Sequence, residues 1–423
     1  MANSAKTKID VGPIDPGVSV PDHVPRHLIR DLRFATGQIA NDFDEPYQLT
    51  ERLLEDDIPP LMYYPYRISG RDGGAWVVSR YSDIANVYQD AETYSTEGVA
   101  AFQALIGETW PSIPLGIDPP DHAKYRLLLN PYFSPKAIDA LEPKIRASAN
   151  QLIDGFIGTG AVDFAYDFAR VYPVRVFLDL MGFPISMFEQ FLAWEFEILH
   201  SGGDLERMRG AVRGIIAYLR AFIADTRKNP SDRLTSKIVS GRVDGRPLTE
   251  DETIGTVFFL WLGGLDTVAS TLSQMFRRLS LTPALRKQLV DNPAAIPDAA
   301  EEFLRVQPLV NSTRKLKRDL QLHGVGLKKG DHIMCLNSVG NFDPQEFKCP
   351  REVRFDRQPN RHFTLAGGPH RCLGSHLARR ELRVALEEWL RRIPEFEIKP
   401  GADRTVVPGL MSARHLELVW PRP

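Results

Sequence analysis

The sequence predicts mostly helix with a small share of short strands, and three observations carry that reading. Residues 137–229 keep apolar side chains at helical spacing throughout, broken only at Pro173, Pro184 and Gly202-Gly203. Residues 249–281 form one long helical pattern with its own start and stop: Thr249 with Glu252 is a capping box, and Pro283 ends it. Period-two patterns, by contrast, are few and short.

At 423 residues and 43% hydrophobic, the chain can bury a large core, and its length alone suggests two or three domains. A net charge of −2 gives no electrostatic case for nucleic acid, which needs a basic face. Cys335, Cys349 and Cys372 are odd in number and spaced for neither a disulfide framework nor a zinc site, which points to the cytoplasm. Residues 1–21 mix Lys, Asp, Pro and Gly without the apolar core of a signal peptide. No run approaches the roughly eighteen apolar residues of a bilayer span, so no membrane contact is expected.

In chain order, residues 1–25 read as a poorly ordered arm. Residues 62–69 and 75–79, separated by Gly70-Arg71-Asp72-Gly73-Gly74, read as a β-hairpin. A helix begins at Ser82, with Arg80 at its mouth. The stretch 98–116 is too long for a mere connection and carries Phe102 and Trp110, so it reads as a pocket-lining loop. Asp118-Pro119-Pro120 opens a helix on which His122 and Arg126, four residues apart, share a face. That pair suits an anion clamp or an ordinary solvated face. Within 183–199, Phe188, Phe191, Trp194 and Phe196 suit a helix core better than a lid.

The helix over 249–281 spans roughly 50 Å. Its middle, Val257 to Leu262, is nearly all apolar and so buried, yet it continues Gly263-Gly264-Leu265-Asp266-Thr267. Two glycines cost about 1 kcal/mol each in a helix interior, and a buried carboxylate costs more unless paired. Such rule-breaking in one place marks a functional site. Thr267 can bond the Gly263 carbonyl and bend the helix open beside a ligand. A close helix contact at the glycines is the plainer alternative, and it leaves Asp266 unexplained. Downstream, Glu302 and Arg305 form a helical ion pair. Residues 309–314, short pieces within 320–337, and 415–419 read as strands, the last preceded by a turn at Gly409-Leu410-Met411.

The stretch 364–374 holds Gly367, Gly368 and Pro369 just before Cys372, then runs into good helix formers from Ser375. Cys372 therefore sits near a helix N-terminus, where free N–H groups and the dipole favour a thiolate. Gly367 and Gly368 would let the backbone approach a bulky group beside the sulfur. A thiolate there suits nucleophilic attack or ligation of a soft metal centre; an inert buried cysteine is the third option.

Gly-x-x-His-x-Cys-x-Gly opening a helix, here Gly367 to Gly374, resembles the haem-ligating loop of the cytochrome P-450 family. The resemblance runs from about residue 60 to the end and implies that family's fold, mainly α with a small β-rich lobe. It also implies a single domain over 26–423 in place of two or three. The implied cofactor is haem b, with Cys372 as axial thiolate ligand. His122, Arg126, Arg314 and His370 would hold its propionates, with Gly367 and Gly374 in the binding loop. Asp266 and Thr267 match the acid–alcohol pair that helps deliver protons during O–O cleavage. Glu302, Arg305 and Arg357 would form a structural network beneath the haem. Where the family usually has phenylalanine, seven residues before the cysteine, this chain has Leu365; Phe363 lies on the same side of an extended segment and is a partial substitute.

The same resemblance puts Phe102, Trp110, Phe259, Leu262, Gly263, Val310, Asn311, Leu410 and Met411 around the substrate, with Asn311 or the Trp110 N–H to orient one polar group. These side chains are mostly apolar, so a small lipophilic substrate is expected. Residues 263–268, 327–331 and 378–381 resemble the camphor-hydroxylating bacterial branch, which suggests a terpenoid or small aromatic compound. The chain has no Gly-x-Gly-x-x-Gly fingerprint after a strand. Electrons for O2 would then come from an acidic iron–sulfur ferredoxin with its NAD(P)H-dependent reductase, docked near Arg80, Lys124, Arg361 and Arg371. Rival readings are a haem-thiolate sensor or carrier without turnover, which has no need of Asp266 and Thr267, and a peroxide-driven variant. A cysteine hydrolase using His370 or His376 as base leaves the glycine-broken helix unexplained.

Overall fold

Leu61–Tyr64 (β1) and Ala75–Val78 (β2) are buried at every position and pair antiparallel, leading into Tyr81–Gln89 (α1) and Tyr94–Ser95 (β3). A loop holding the 3-10 turn Phe102–Ile106 precedes Asp121–Leu129 (α2) and Pro135–Phe156 (α3). Ala161–Asp163 (β4), the π-helical turn Phe164–Ala169, Val171–Met181 (α4) and Phe188–His200 (α5) follow. Next come Leu205–Lys228 (α6), Leu234–Val239 (α7) and the hairpin Arg242–Val243 (β5) with Arg246–Pro247 (β6). Glu250–Gly263 (α8), Thr267–Leu281 (α9), Pro283–Asp291 (α10) and Ile296–Val306 (α11) lead to Ser312–Leu316 (β7). Leu320–Leu322 (β8), Val325–Leu327 (β9) and His332–Cys335 (β10) precede Asn337–Gly340 (α12) and Ser375–Arg392 (α13). Glu397–Ile398 (β11) and Glu417–Val419 (β12) close the chain. This computed structural model describes residues 18–33, 35, 52–65, 74–200, 204–403, 413 and 415–422. The hairpin turn, the Gly202-Gly203 break and the Gly409-Leu410-Met411 turn lie outside them.

The β-rich lobe is a five-stranded sheet in the order β1-β2-β10-β7-β3, with β10 parallel to β2. Trp76, Val78 and Ile333 face a core shared with Ile84 and Val87 of α1. The Trp76 indole donates to Asp331 Oδ2 at 2.8 Å, so its one polar atom is satisfied inside that core.

The helical part is not continuous over 137–229. Gly160 takes a left-handed φ of 73° and ends the helical turn after α3, and Val162 of β4 then pairs with Leu418 of β12. Pro173 also differs from expectation. It lies in the first turn of α4, where its missing N–H costs nothing, so it starts a helix rather than breaking one.

Around α9 the main core forms. Phe276 stacks on Phe164 at 4.1 Å and meets Trp389 of α13 edge-on at 5.3 Å. By length and apolar content Glu250–Leu281 is enough to cross a membrane, but its apolar window is 67% buried inside the protein, which makes it a core helix. Thr249 and Glu252 form the capping box: the Glu252 N–H donates to Thr249 Oγ1 at 3.1 Å and the Thr249 N–H to Glu252 Oε2 at 2.7 Å. Glu302, wholly buried, accepts from Arg305 Nη2 at 2.7 Å and Arg357 Nε at 3.1 Å. Other N–H groups of the two arginines donate to carbonyls at Asn341, Lys348, Cys349, Pro350 and Glu352. A buried charge set this completely bonded ties α11 to the segment leading to Cys372.

Candidate active site

Ala366 and Gly368 both take left-handed backbone, with φ of 55° and 62°. They turn the chain so that the Cys372 N–H donates to the Leu365 carbonyl at 2.9 Å. A Cβ at Gly368 would lie 1.9 Å from the Tyr88 carbonyl, and one at Gly367 3.3 Å from Tyr88 Cβ. These glycines let the loop press against the end of α1. Gly374 is the open one: a Cβ there would meet nothing within 4 Å.

Helix α13 starts at Ser375 with Gly374 as its cap, leaving Cys372 just outside the helix. Burial pushes the Cys372 thiol up, opposed by the Gly374 N–H and by Arg126. A soft metal cation at the sulfur would favour the thiolate against that burial. Cys335, buried in β10, is pushed up to about 12 by burial and is structural. Phe363 does not stand in for Leu365 either. It packs into the lobe core against Tyr81 (4.5 Å) and Tyr88 (5.4 Å), whereas Leu365 packs on the main core.

Beside the cysteine loop, two imidazoles and two guanidiniums gather with no carboxylate bonded to them among the described residues. The rings of His122 and His370 are 4.1 Å apart. His122 Nε2 is buried with no hydrogen-bond partner among the described residues. Arg314 is buried, donates to the carbonyl of its neighbour Thr313, and lies 5.2 Å over the Tyr88 ring. Arg126 donates to the Arg371 carbonyl at 2.8 Å. Burial, with Arg126 nearby, lowers His122 to about 4; burial, with His122 and Arg314 nearby, lowers His370 to about 3. The carboxylate in reach, Asp118, is engaged by Lys317 at 2.9 Å and by the Thr96 N–H. An orphaned imidazole nitrogen and a buried guanidinium with no carboxylate among the described residues are what two propionates would satisfy.

Between α8 and α9 the helix is interrupted. Thr267 Oγ1 donates to the Gly263 carbonyl at 3.2 Å. A Cβ at Gly264 would come within 2.4 Å of the Phe177 ring, while one at Gly263 would meet nothing within 4 Å. Each glycine thus satisfies one of the two sequence alternatives, close contact at Gly264 and open space at Gly263. Asp266 is not the lone buried carboxylate expected. Its side chain is 23% exposed, and it faces His200 Nε2 at 3.2 Å and Ser270 Oγ at 3.0 Å. Beside it Glu195 of α5 is buried, its carboxyl pushed up to about 9 by burial and by Asp266. These groups line a cavity of about 530 Å³ with Tyr166, Arg170, Phe196 and His415. Sequence reading missed Glu195 and His200. The available signal was an acid at the helical position between Phe191 and Ile198, on the buried face of α5.

Of the other pocket residues, Phe102 and Phe259 are half-buried, Leu262 is buried and Val310 is 42% exposed. Trp110 is buried against Phe258, 5.0 Å away, and its N–H donates to Glu108 at 2.7 Å. Asn311 donates to the Ala35 carbonyl at 3.1 Å and accepts from the Ser338 N–H at 3.2 Å. Neither polar group is free to orient a ligand, which corrects that expectation. Leu410 and Met411 lie outside the described residues.

The family model described as Cytochrome P450 matches residues 183–414. The chain is 38% identical over 386 residues to probable cytochrome P450 127A1 of Sinorhizobium fredii, covering 90% of this chain and 92% of the relative. It is 32% identical over 358 residues to the mycinamicin IV hydroxylase/epoxidase of Micromonospora griseorubida, covering 82% and 89%. Among solved structures, CYP101J2 superposes with a TM-score of 0.81 at 32% identity, over 96% of this chain and all of that one.

Proposed function

The chain belongs to the cytochrome P450 family and is a haem-thiolate monooxygenase, and from that premise we propose that it oxidises a small lipophilic compound, a terpenoid or small aromatic. Its electrons come from an iron–sulfur ferredoxin and the NAD(P)H-dependent reductase of that ferredoxin, and its place is the cytoplasm. The observation that carries the reading is the break between α8 and α9, open at Gly263 and bonded through Thr267. A sensor or carrier gives no reason to interrupt a core helix there.

Thiolate-ligated haem supplies the activation and cleavage of dioxygen. Cys372 Sγ is its ligand, and the bonded loop from Leu365 to Cys372 fixes the sulfur's direction. His122, Arg126, Arg314 and His370 hold the propionates, and the bare Gly374 leaves clearance beside the sulfur. Asp266 lines the cavity on its side of the break, and its carboxyl passes protons from that cavity toward the groove. Thr267 keeps its hydroxyl hydrogen-bonded across the break and so sets the groove's width. Phe102, Phe259, Leu262 and Val310 offer a substrate apolar contact and exclude water. With Trp110 and Asn311 committed elsewhere, selection rests on shape, at about 1–3 kcal/mol per methylene. Likeness to CYP101J2 over the whole of that chain supports the branch resemblance behind the terpenoid assignment.

The test is a screen of small terpenoids and aromatics for a low- to high-spin shift of the haem spectrum, followed by turnover with ferredoxin, reductase and NAD(P)H. Hydroxylated product from a shifting compound is the expected result. Turnover with peroxide alone, or no spin shift across the class, overturns the proposal.

A further inference from the structure

The cavity between α5 and α9 brings Glu195 and His200, which the monooxygenase reading does not use, beside Asp266, which it does. One ligand atom each from Glu195, His200 and Asp266 lies within 4.8 Å of the others. His200 Nε2 and Asp266 Oδ2 are 3.2 Å apart, close to the roughly 3.4 Å that separates two ligands of a tetrahedral zinc ion. Glu195 is 3% exposed and lines the cavity, and its buried Oε1 has no hydrogen-bond partner among the described residues. A buried, unpartnered carboxyl oxygen is costly unless a cation or donor reaches it. The contact between His200 and Asp266 engages those two groups but leaves Glu195 Oε1 without a partner among the described residues.

We propose that Glu195, His200 and Asp266 bind a divalent first-row cation of the zinc type, at a site distinct from the cysteine loop. One imidazole and two carboxylates suit Zn2+, Mn2+ or Fe2+ rather than the soft or all-oxygen metals. Ser270 Oγ, donating to Asp266 Oδ1 at 3.0 Å, fixes that carboxylate. The His200 ring is steadied by stacking on Phe196, 5.3 Å away. The cavity gives an entry path and leaves the remaining coordination position to water. Among the described residues no other group of three His, Cys, Asp or Glu side chains comes together this way. A cation there also occupies Asp266, so it lowers product formed per electron; this part alone rests on the role proposed for Asp266.

Zn2+ titrated calorimetrically into tag-free, haem-loaded enzyme should show one equivalent bound. Glu195→Gln, nearly isosteric, and His200→Gln should each weaken binding tenfold or more, on the scale of losses at metal sites. His323→Gln, which removes a two-residue pair with Asp83 elsewhere, should leave it unchanged. Far-UV circular dichroism and the Soret band establish that each variant is folded. No zinc uptake by the enzyme, or wild-type affinity in both folded cavity variants, overturns the site. Zinc bound with the expected residue dependence but without loss of coupling keeps the site and removes the catalytic role of Asp266.

Discussion

Asp266 accepts hydrogen bonds that asparagine could partly retain, since His200 and Ser270 reach its two oxygens separately. What asparagine cannot do is hold and release a proton. Asp266→Asn should therefore keep the fold and the haem while slowing product formation on the order of 10²-fold, the lower end for a positioned acid. Electron consumption should continue, so product per NAD(P)H falls; unchanged coupling removes the proton role. The identity of Asp266 was legible because an acid after two glycines violates the helix pattern. Its surroundings were not, because His200 and Glu195 come from α5, and His200 is 66 positions away in the chain. The same holds for Trp110, whose N–H looked available until Glu108, itself held by Arg220 of α6, was placed beside it.

At the scale of elements, the two glycines of the break should respond differently to the same change. Gly264→Ala drives a methyl into the Phe177 ring of α4, an overpacking that costs about 1–3 kcal/mol. Gly263→Ala meets nothing, so it should be neutral or stabilising by up to about 1 kcal/mol from helix propensity. Thermal unfolding of the two variants separates them, and equal losses would contradict this account of the break. The N-terminus of α8 makes a second prediction. Arg246 foremost, with Tyr125 and the Thr249 N–H, outweighs burial and holds Glu252 down to about 2, below its ordinary 4.5. A depressed carboxylate stabilises the fold fully above pH 4.5, and that contribution is lost as pH falls towards 2. Glu252→Gln should flatten this part of the acid-unfolding curve; an unchanged slope refutes the assignment. The capping box was readable because its partners are three residues apart, whereas β4 was not, since Val162 becomes a strand only by meeting Leu418.

Over the whole molecule the question is where an acidic electron donor would land, and the net charge of −2 does not answer it, because steering depends on local unpaired charge. Of the four cations expected to face the ferredoxin, two are already committed. Lys124 pairs with Asp121 at 2.8 Å and with Asp244 at 2.7 Å. Arg80 donates to the carbonyls of Leu54 and Glu55. Arg361 and Arg371 are exposed and have no ion pair among the described residues, and Arg371 is the immediate neighbour of Cys372. The chain's order places those charges, but only the fold brings Asp244 across to Lys124, so the sequence alone weights the four equally. Charge reversal at Arg361 and Arg371 together should slow reduction by ferredoxin about tenfold or more at low ionic strength. The effect should shrink as the Debye length falls below about 10 Å near 0.1 M salt. Reversal at Arg80 and Lys124 should do less, since Lys124 contributes little net field and Arg80 acts mainly through its carbonyl bonds. Stopped-flow reduction across a salt series distinguishes the pairs, and equal slowing by both would mean that the donor reads the face's total charge rather than its free cations.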